Sequence, residues 1–246
     1  MLINYLKTAW RNIRRQKVHS LITISGFGVG IACCLMILFW VQDERGYDRF
    51  HGNESRIFRV VSDWAKNDWK GVEATPFPLG PEVKANLPQV RNMTRLYVDE
   101  RKVFRYGEKT FFEDHGIVVD LSFFEIFSFP FAKGDIKGAF RGPDDIVISE
   151  SLARKYFGSE EPLGKTIQVE GRPQVVRGVL KDVPRQSSLQ FHYARSVEFE
   201  SIQPHWGAYN ASTFLLLAAG ANPKSVGPAI TAIGLKHGSP QVVDGA

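Results

Sequence analysis

Between Leu21 and Val41 the chain runs for 21 residues without a charge, LITISGFGVGIACCLMILFWV, and no other feature so limits what it can fold into. As a helix this stretch spans about 31 Å, matching the roughly 30 Å hydrocarbon core of a bilayer. A buried helix of a soluble protein is the plain alternative, but surface-packed helices of that length keep a polar face. A cleavable signal sequence has a shorter apolar region, about 7–15 residues, and ends in small residues. This run instead closes on Leu38-Phe39-Trp40-Val41. It reads as a retained transmembrane helix.

The flanking charges give the helix a direction. Residues 1–20 carry Lys7, Arg11, Arg14, Arg15 and Lys17 and no acid, whereas Asp43, Glu44, Arg45, Asp48 and Arg49 follow the run. Positive charge is retained on the cytoplasmic side, so the N-terminus is expected inside the inner (plasma) membrane and residues from 42 onward outside it. The five leader cations account for the whole formal charge of +5, leaving 26 basic and 26 acidic side chains in the remaining 226 residues. No basic surplus is left for nucleic acid, which is excluded as a partner. Leu2, Leu6, Ala9 and Ile13 recur at helical spacing opposite Lys7, Arg11 and Arg14. That is the pattern of an amphipathic helix on the membrane surface, its basic face meeting anionic headgroups of the lipid bilayer; a plain topogenic basic cluster is the competing reading. Within the span, Gly26 and Gly30 form a small-xxx-small pair that would let another helix pack closely, although glycine is common in such helices. Cys33 and Cys34 are adjacent, about 100° apart on a helix, so no disulfide between them is expected.

Beyond the span the pattern predicts an α+β fold, a mixed α/β domain over residues 42–235 followed by a tail at 236–246. Strands are expected at 56–62, 117–119, 146–148 and 213–217, with hairpins over 103–112 around Gly107-Glu108 and over 166–180 around Glu170-Gly171-Arg172. Helices are expected at 81–87, 122–127 and 223–235. Another, from a Ser149 cap to Phe157, would be stopped by Gly158 in the left-handed C′ position. Phe123, Phe124 and Phe127 read as core.

Signs of chemistry fail on inspection. GSEEPLGKT (158–166) imitates a phosphate loop but has one residue too many between its glycines and leads into a strand. The six histidines show no metal-ligand spacing, leaving only long-range assembly. Asp43-Glu44 and Asp144-Asp145 are adjacent acids of the kind found at solvated edges, and no Gly-x-Ser-x-Gly elbow occurs. Three Asn-x-Ser/Thr triplets carry no weight at this length. No catalytic, cofactor-binding or metal residue is predicted, and no enzyme.

Several segments resemble the MacB/FtsX-type ABC transporter permeases, in particular their MacB-like periplasmic core domain. They are NYLKTAWRNIRRQKVHSLITISGFGVGIACCLMILFWVQDE (4–44), YDRFHGNESRIFRV (47–60), LSFFEIFSFPFAKGD (121–135) and IVISESLARKYFGSEEPLGKTIQVEG (146–171). VVRGVLKDVPRQSSLQFHY (175–193) and the stretch from Trp206 to Pro223 match more loosely. The resemblance implies a cytoplasmic N-terminal helix, a first transmembrane helix and a periplasmic domain, with a separate cytoplasmic ABC ATPase subunit and a second permease copy as partners. It implies mechanical coupling with no bond chemistry in this polypeptide. Such permeases continue with further transmembrane helices; here the sequence ends in GLKHGSPQVVDGA, and a fragment or truncated product is the expectation. A single-span sensor or adaptor would need a cytoplasmic output module, which 20 residues are too few to hold. A tethered exported enzyme would need a catalytic constellation.

Overall fold

The computed structural model describes residues 2–64, 69–196 and 205–238, which form two compact units, Met1–Tyr47 and Asp48–Ala246. The first unit is α1 (Leu2–Arg15) followed by α2 (Lys17–Glu44), with the backbone of Gln16 (φ −113°, ψ 59°) breaking the helix between them. Among the described residues α2 is a helix long and apolar enough to cross a bilayer, and none of its residues is buried. Its 28 residues measure about 42 Å, so the uncharged run is extended by roughly a turn at each end. The Thr23 and Ser25 hydroxyls donate to the carbonyls of His19 (2.9 Å) and Ile22 (3.1 Å), so each donor is satisfied within the apolar helix itself.

The second unit is built on a mixed sheet, as the α+β reading required. Its strands are β1 (Ile57–Val60), β4 (Thr75–Pro76), β5 (Val90–Asp99), β6 (Lys102–Tyr106), β7 (Lys109–Glu113), β8 (Gly116–Val119) and β9 (Phe131–Lys133). β10 (Asp145–Ser149), β11 (Thr166–Val169), β12 (Arg172–Leu180), β13 (Tyr193–Ser196) and β14 (Tyr209–Leu217) complete it. The order is β1-β14-β5-β8-β13-β10-β12-β11-β6-β7, with β4 on β14 and β9 on β12. Only the β10/β12 and β8/β13 pairs are parallel among the described strands. A separate ribbon pairs β2 (Ser62–Trp64) with β3 (Trp69–Val72).

Turn chemistry explains the hairpins. Glu170 (φ 51°) and Gly171 (φ 76°) are both left-handed, as a two-residue I′ turn demands, so Arg172 opens β12 and is no part of the turn. Between β6 and β7 the first of the two turn residues, Gly107 (φ 57°), supplies the positive φ, the place where a II′-type hairpin turn needs glycine. Helix α5 (Glu150–Phe157) is capped by the Ser149 hydroxyl, which accepts the Leu152 amide at 3.2 Å. It ends at Gly158 as expected, but with φ 62° and ψ −115°. That lies outside the left-handed helical well; the chain turns away sharply there into the 159–165 loop. GSEEPLGKT therefore joins the end of a helix to the start of β11, the reverse of a phosphate loop.

The core sits on both faces of the sheet, because successive residues of a strand point to opposite sides. Ile146 and Ile148 of β10 pack with Leu152, Tyr156 and Phe157 of α5, while Val147 joins the opposite cluster. Leu215 and Leu217 of β14 pack with Leu79 and Val83 of α3 (Leu79–Asn86) and with Val226 and Ile230 of α6 (Pro223–Lys236). Phe214 and Leu216 face the other way, into a phenylalanine cluster around α4 (Phe123–Ile126).

Candidate functional site

Residues 181–192, joining β12 to β13, hold two features together. The first is an anchor for the start of the second unit. Asp48, in a left-handed conformation (φ 57°), donates its amide to the Gln186 carbonyl at 2.9 Å. Its carboxylate accepts the Ser187 hydroxyl (3.1 Å) and the Ser188 amide (3.0 Å). A carboxylate suits this place because it can accept several donors at once without offering any. Gln190 knits the loop from inside, donating to the carbonyls of Pro184 (2.7 Å) and Ser187 (2.8 Å).

The second feature is a cleft of about 340 Å³ lined by His115, Ser149, Ser151, Asp182, Val183, Gln190, Phe191 and His192. Asp182 accepts the Ser151 amide (3.0 Å) and hydroxyl (2.6 Å) at the first turn of α5, where negative charge is favoured by the helix dipole. Burial works to raise its pKa, but the two Ser151 bonds, with Arg154 nearby, outweigh it and hold the carboxyl below its ordinary range. The two Ser151 bonds tie the first turn of α5 to the start of the 181–192 loop. His115 and His192 lie side by side with ring centroids 5.6 Å apart. Among the described residues no three His, Cys, Asp or Glu side chains form a metal-binding group.

His51 lies three residues past the Asp48 anchor, 3% exposed, among the rings of Phe50, Phe127 and Phe129. Its Nδ1 accepts the Ser128 amide at 3.0 Å, so neutral imidazole carries its proton on Nε2. Burial lowers its pKa, and the Asp48 carboxylate offsets this only in part. The unfolded chain thus takes up a proton near pH 6.5 that the folded chain refuses. The contribution is complete above that pH and shrinks as pH falls below it, down to the lower folded pKa. The unfolding midpoint of the full chain in detergent should drop between pH 7 and pH 5, and less steeply in His51→Gln; equal slopes would contradict this account.

The sequence-predicted positions lie in the first unit. Lys7, Arg11, Arg14 and Arg15 are exposed on α1 and Lys17 on the first turn of α2, with the Arg14 guanidinium 5.6 Å from the centre of the Trp10 ring. Ile13 is exposed; the side chains of Leu2, Leu6 and Ala9 lie outside the described ones. Gly26 and Gly30 fall one turn apart on a shallow groove with Ile22, Phe27 and Cys34, where an added Cβ would meet nothing within 4 Å. Sequence reasoning missed the His115/His192 pair and the Asp48 anchor, because their partners stand 77 and about 140 residues apart.

A model of the MacB-like periplasmic core domain matches residues 20–233. The chain belongs to this family. The match takes in most of α2 as well as the second unit. Among relatives, the uncharacterised ABC transporter permease YvrN of Bacillus subtilis is 24% identical over 238 residues, covering 89% of this chain and 57% of that protein. This MacB-like chain thus spans little more than half the length of that relative. Solved structures agree on the fold. A domain of a protein described as a permease, from Porphyromonas gingivalis, superposes with a TM-score of 0.65 at 21% identity, covering 80% of this chain and 93% of that one. The periplasmic region of MacB from Actinobacillus actinomycetemcomitans gives 0.56 at 15% identity, with 78% and 88% covered.

Proposed function

We propose that this MacB-like chain is the first transmembrane helix and outer domain of an ABC transporter permease, passing motion driven by a separate cytoplasmic ATPase to the periplasmic side. The observation that carries the reading is the Asp48 anchor. Helix α2 ends at Glu44, and after only three intervening residues the chain is fixed at Asp48 to the 181–192 loop by three hydrogen bonds. A short link ending in a fixed point can transmit displacement; a long flexible one would absorb it. In this reading the basic face of Lys7, Arg11, Arg14, Arg15 and Lys17 lies at the inner membrane surface, residues 42–235 stand in the periplasm, and Gly26 and Gly30 receive a neighbouring helix. A second permease copy completes the assembly.

Protease added to intact spheroplasts should degrade residues beyond 42 and spare the leader, while in inverted vesicles the domain should survive. Removal of residues 2–15 should then reduce co-purification with an ABC ATPase while leaving the domain folded. A protected domain in spheroplasts would sink the orientation, and unchanged recovery of the ATPase would sink the role of the leader.

A further inference from the structure

We propose that His115 and His192 form a two-imidazole site for a divalent transition-metal ion of the Zn²⁺ or Cu²⁺ class, a property separate from any transport role. The backbone brings them together. Gly116 of β8 stands opposite Tyr193 of β13 in a parallel pair, and the residue before each is a histidine, with the His192 amide donating to the His115 carbonyl at 2.8 Å. Both side chains are exposed, and among the described residues neither imidazole has a hydrogen-bond or ion-pair partner, so no existing bond must break for a metal to enter.

The spacing fits one shared ion. With metal–nitrogen bonds of about 2.0 Å, two imidazoles on a tetrahedral centre place their ring centroids about 5 Å apart. The observed separation is 5.6 Å, with the rings inclined by 36°, within about 1 Å of that spacing. Imidazole suits Zn²⁺, Cu²⁺ and Ni²⁺ over Mg²⁺ or Ca²⁺. Asp182 lines the same cleft and adds negative charge, leaving water to fill the remaining coordination positions. His115 also sits at φ 58°, where glycine or asparagine would be at ease. Histidine, like asparagine and aspartate, is enriched in that region, so the conformation holds the residue in place without strain. An ion held by both rings would tie residue 115 to residue 192, the end of the loop that anchors Asp48.

The test uses the full chain without a histidine tag, in detergent, titrated with Zn²⁺ and with Cu²⁺. The wild type should bind one equivalent saturably, raise its thermal midpoint with Zn²⁺, and give a Cu²⁺ electron paramagnetic resonance spectrum with two equatorial nitrogens. His115→Asn and His192→Gln, both at exposed positions, should each weaken binding by at least the about 10–100-fold that losing even a supporting partner costs. Each should leave a spectrum of one nitrogen, while His19→Gln should match the wild type. Near-UV circular dichroism establishes that the variants are folded. Absence of saturable binding, binding that survives either substitution, or a single nitrogen in the wild type would overturn the proposal.

Discussion

Phe123→Ala should destabilise the second unit by about 3–5 kcal/mol, the cost of emptying a large buried aromatic site. Phe123 is fully buried and stands between four other phenylalanines. Ring centroids lie at 5.1 Å for Phe124, 5.0 Å for Phe127, 6.0 Å for Phe129 and 6.1 Å for Phe191. Four stiff rings cannot collapse into the space a fifth leaves, so little of the loss is recovered by relaxation. Thermal or denaturant unfolding of the full chain in detergent measures the effect. Leu121→Ala two residues away, at a side chain 49% exposed, should stay within about 0.5 kcal/mol. A Phe123→Ala cost near that of the control would mean the cluster does not hold the domain together.

Asp120→Ala should cost about as much for an electrostatic reason. Arg95 in the middle of β5 is 5% exposed and grips Asp120 with two prongs, Nε to Oδ2 at 3.0 Å and Nη2 to Oδ1 at 2.7 Å. Its backbone amide donates to the same carboxylate at 2.6 Å, and Nη1 reaches the Phe77 carbonyl at 2.9 Å. Taking away the carboxylate strands a permanent cation in the interior, with an expected loss of about 3–5 kcal/mol. The joint variant Arg95→Met/Asp120→Leu removes both charges and should recover much of that stability. Were the single variant as stable as the wild type, water would be reaching the guanidinium and the pair would not be buried in solution.

That buried pair also marks where the sequence was hard to read. The hairpin turns at Gly107 and Glu170-Gly171, and helix α5 between its Ser149 cap and Gly158, were legible because each boundary is set by a residue whose local chemistry permits little else. Strands β5 and β13 were not. They carry Arg95, Asp99 and Arg195, which look like surface residues to any reading by hydrophobic alternation. In the fold Arg195 Nε donates to Asp99 Oδ2 at 2.7 Å, and Arg95 is neutralised by Asp120, so charges that should have faced water are paired inside the sheet. The candidate site was illegible for a related reason. Asp48 and the 186–188 loop, like His115 and His192, are neighbours only through tertiary structure, and nothing local announces them. The long apolar helix α2 is the opposite case, since 21 uncharged residues need no partner to declare themselves.

The two-faced packing of β10 and β14 bears on how such a domain could respond to a pull. A strand whose odd residues are embedded in one hydrophobic layer and whose even residues are embedded in another cannot creep lengthwise, because a slip of a single position would exchange the two sets wholesale. Load applied to such a sheet is met by stiffness until the whole sheet yields. Displacement along any one strand is thus resisted by both hydrophobic layers at once.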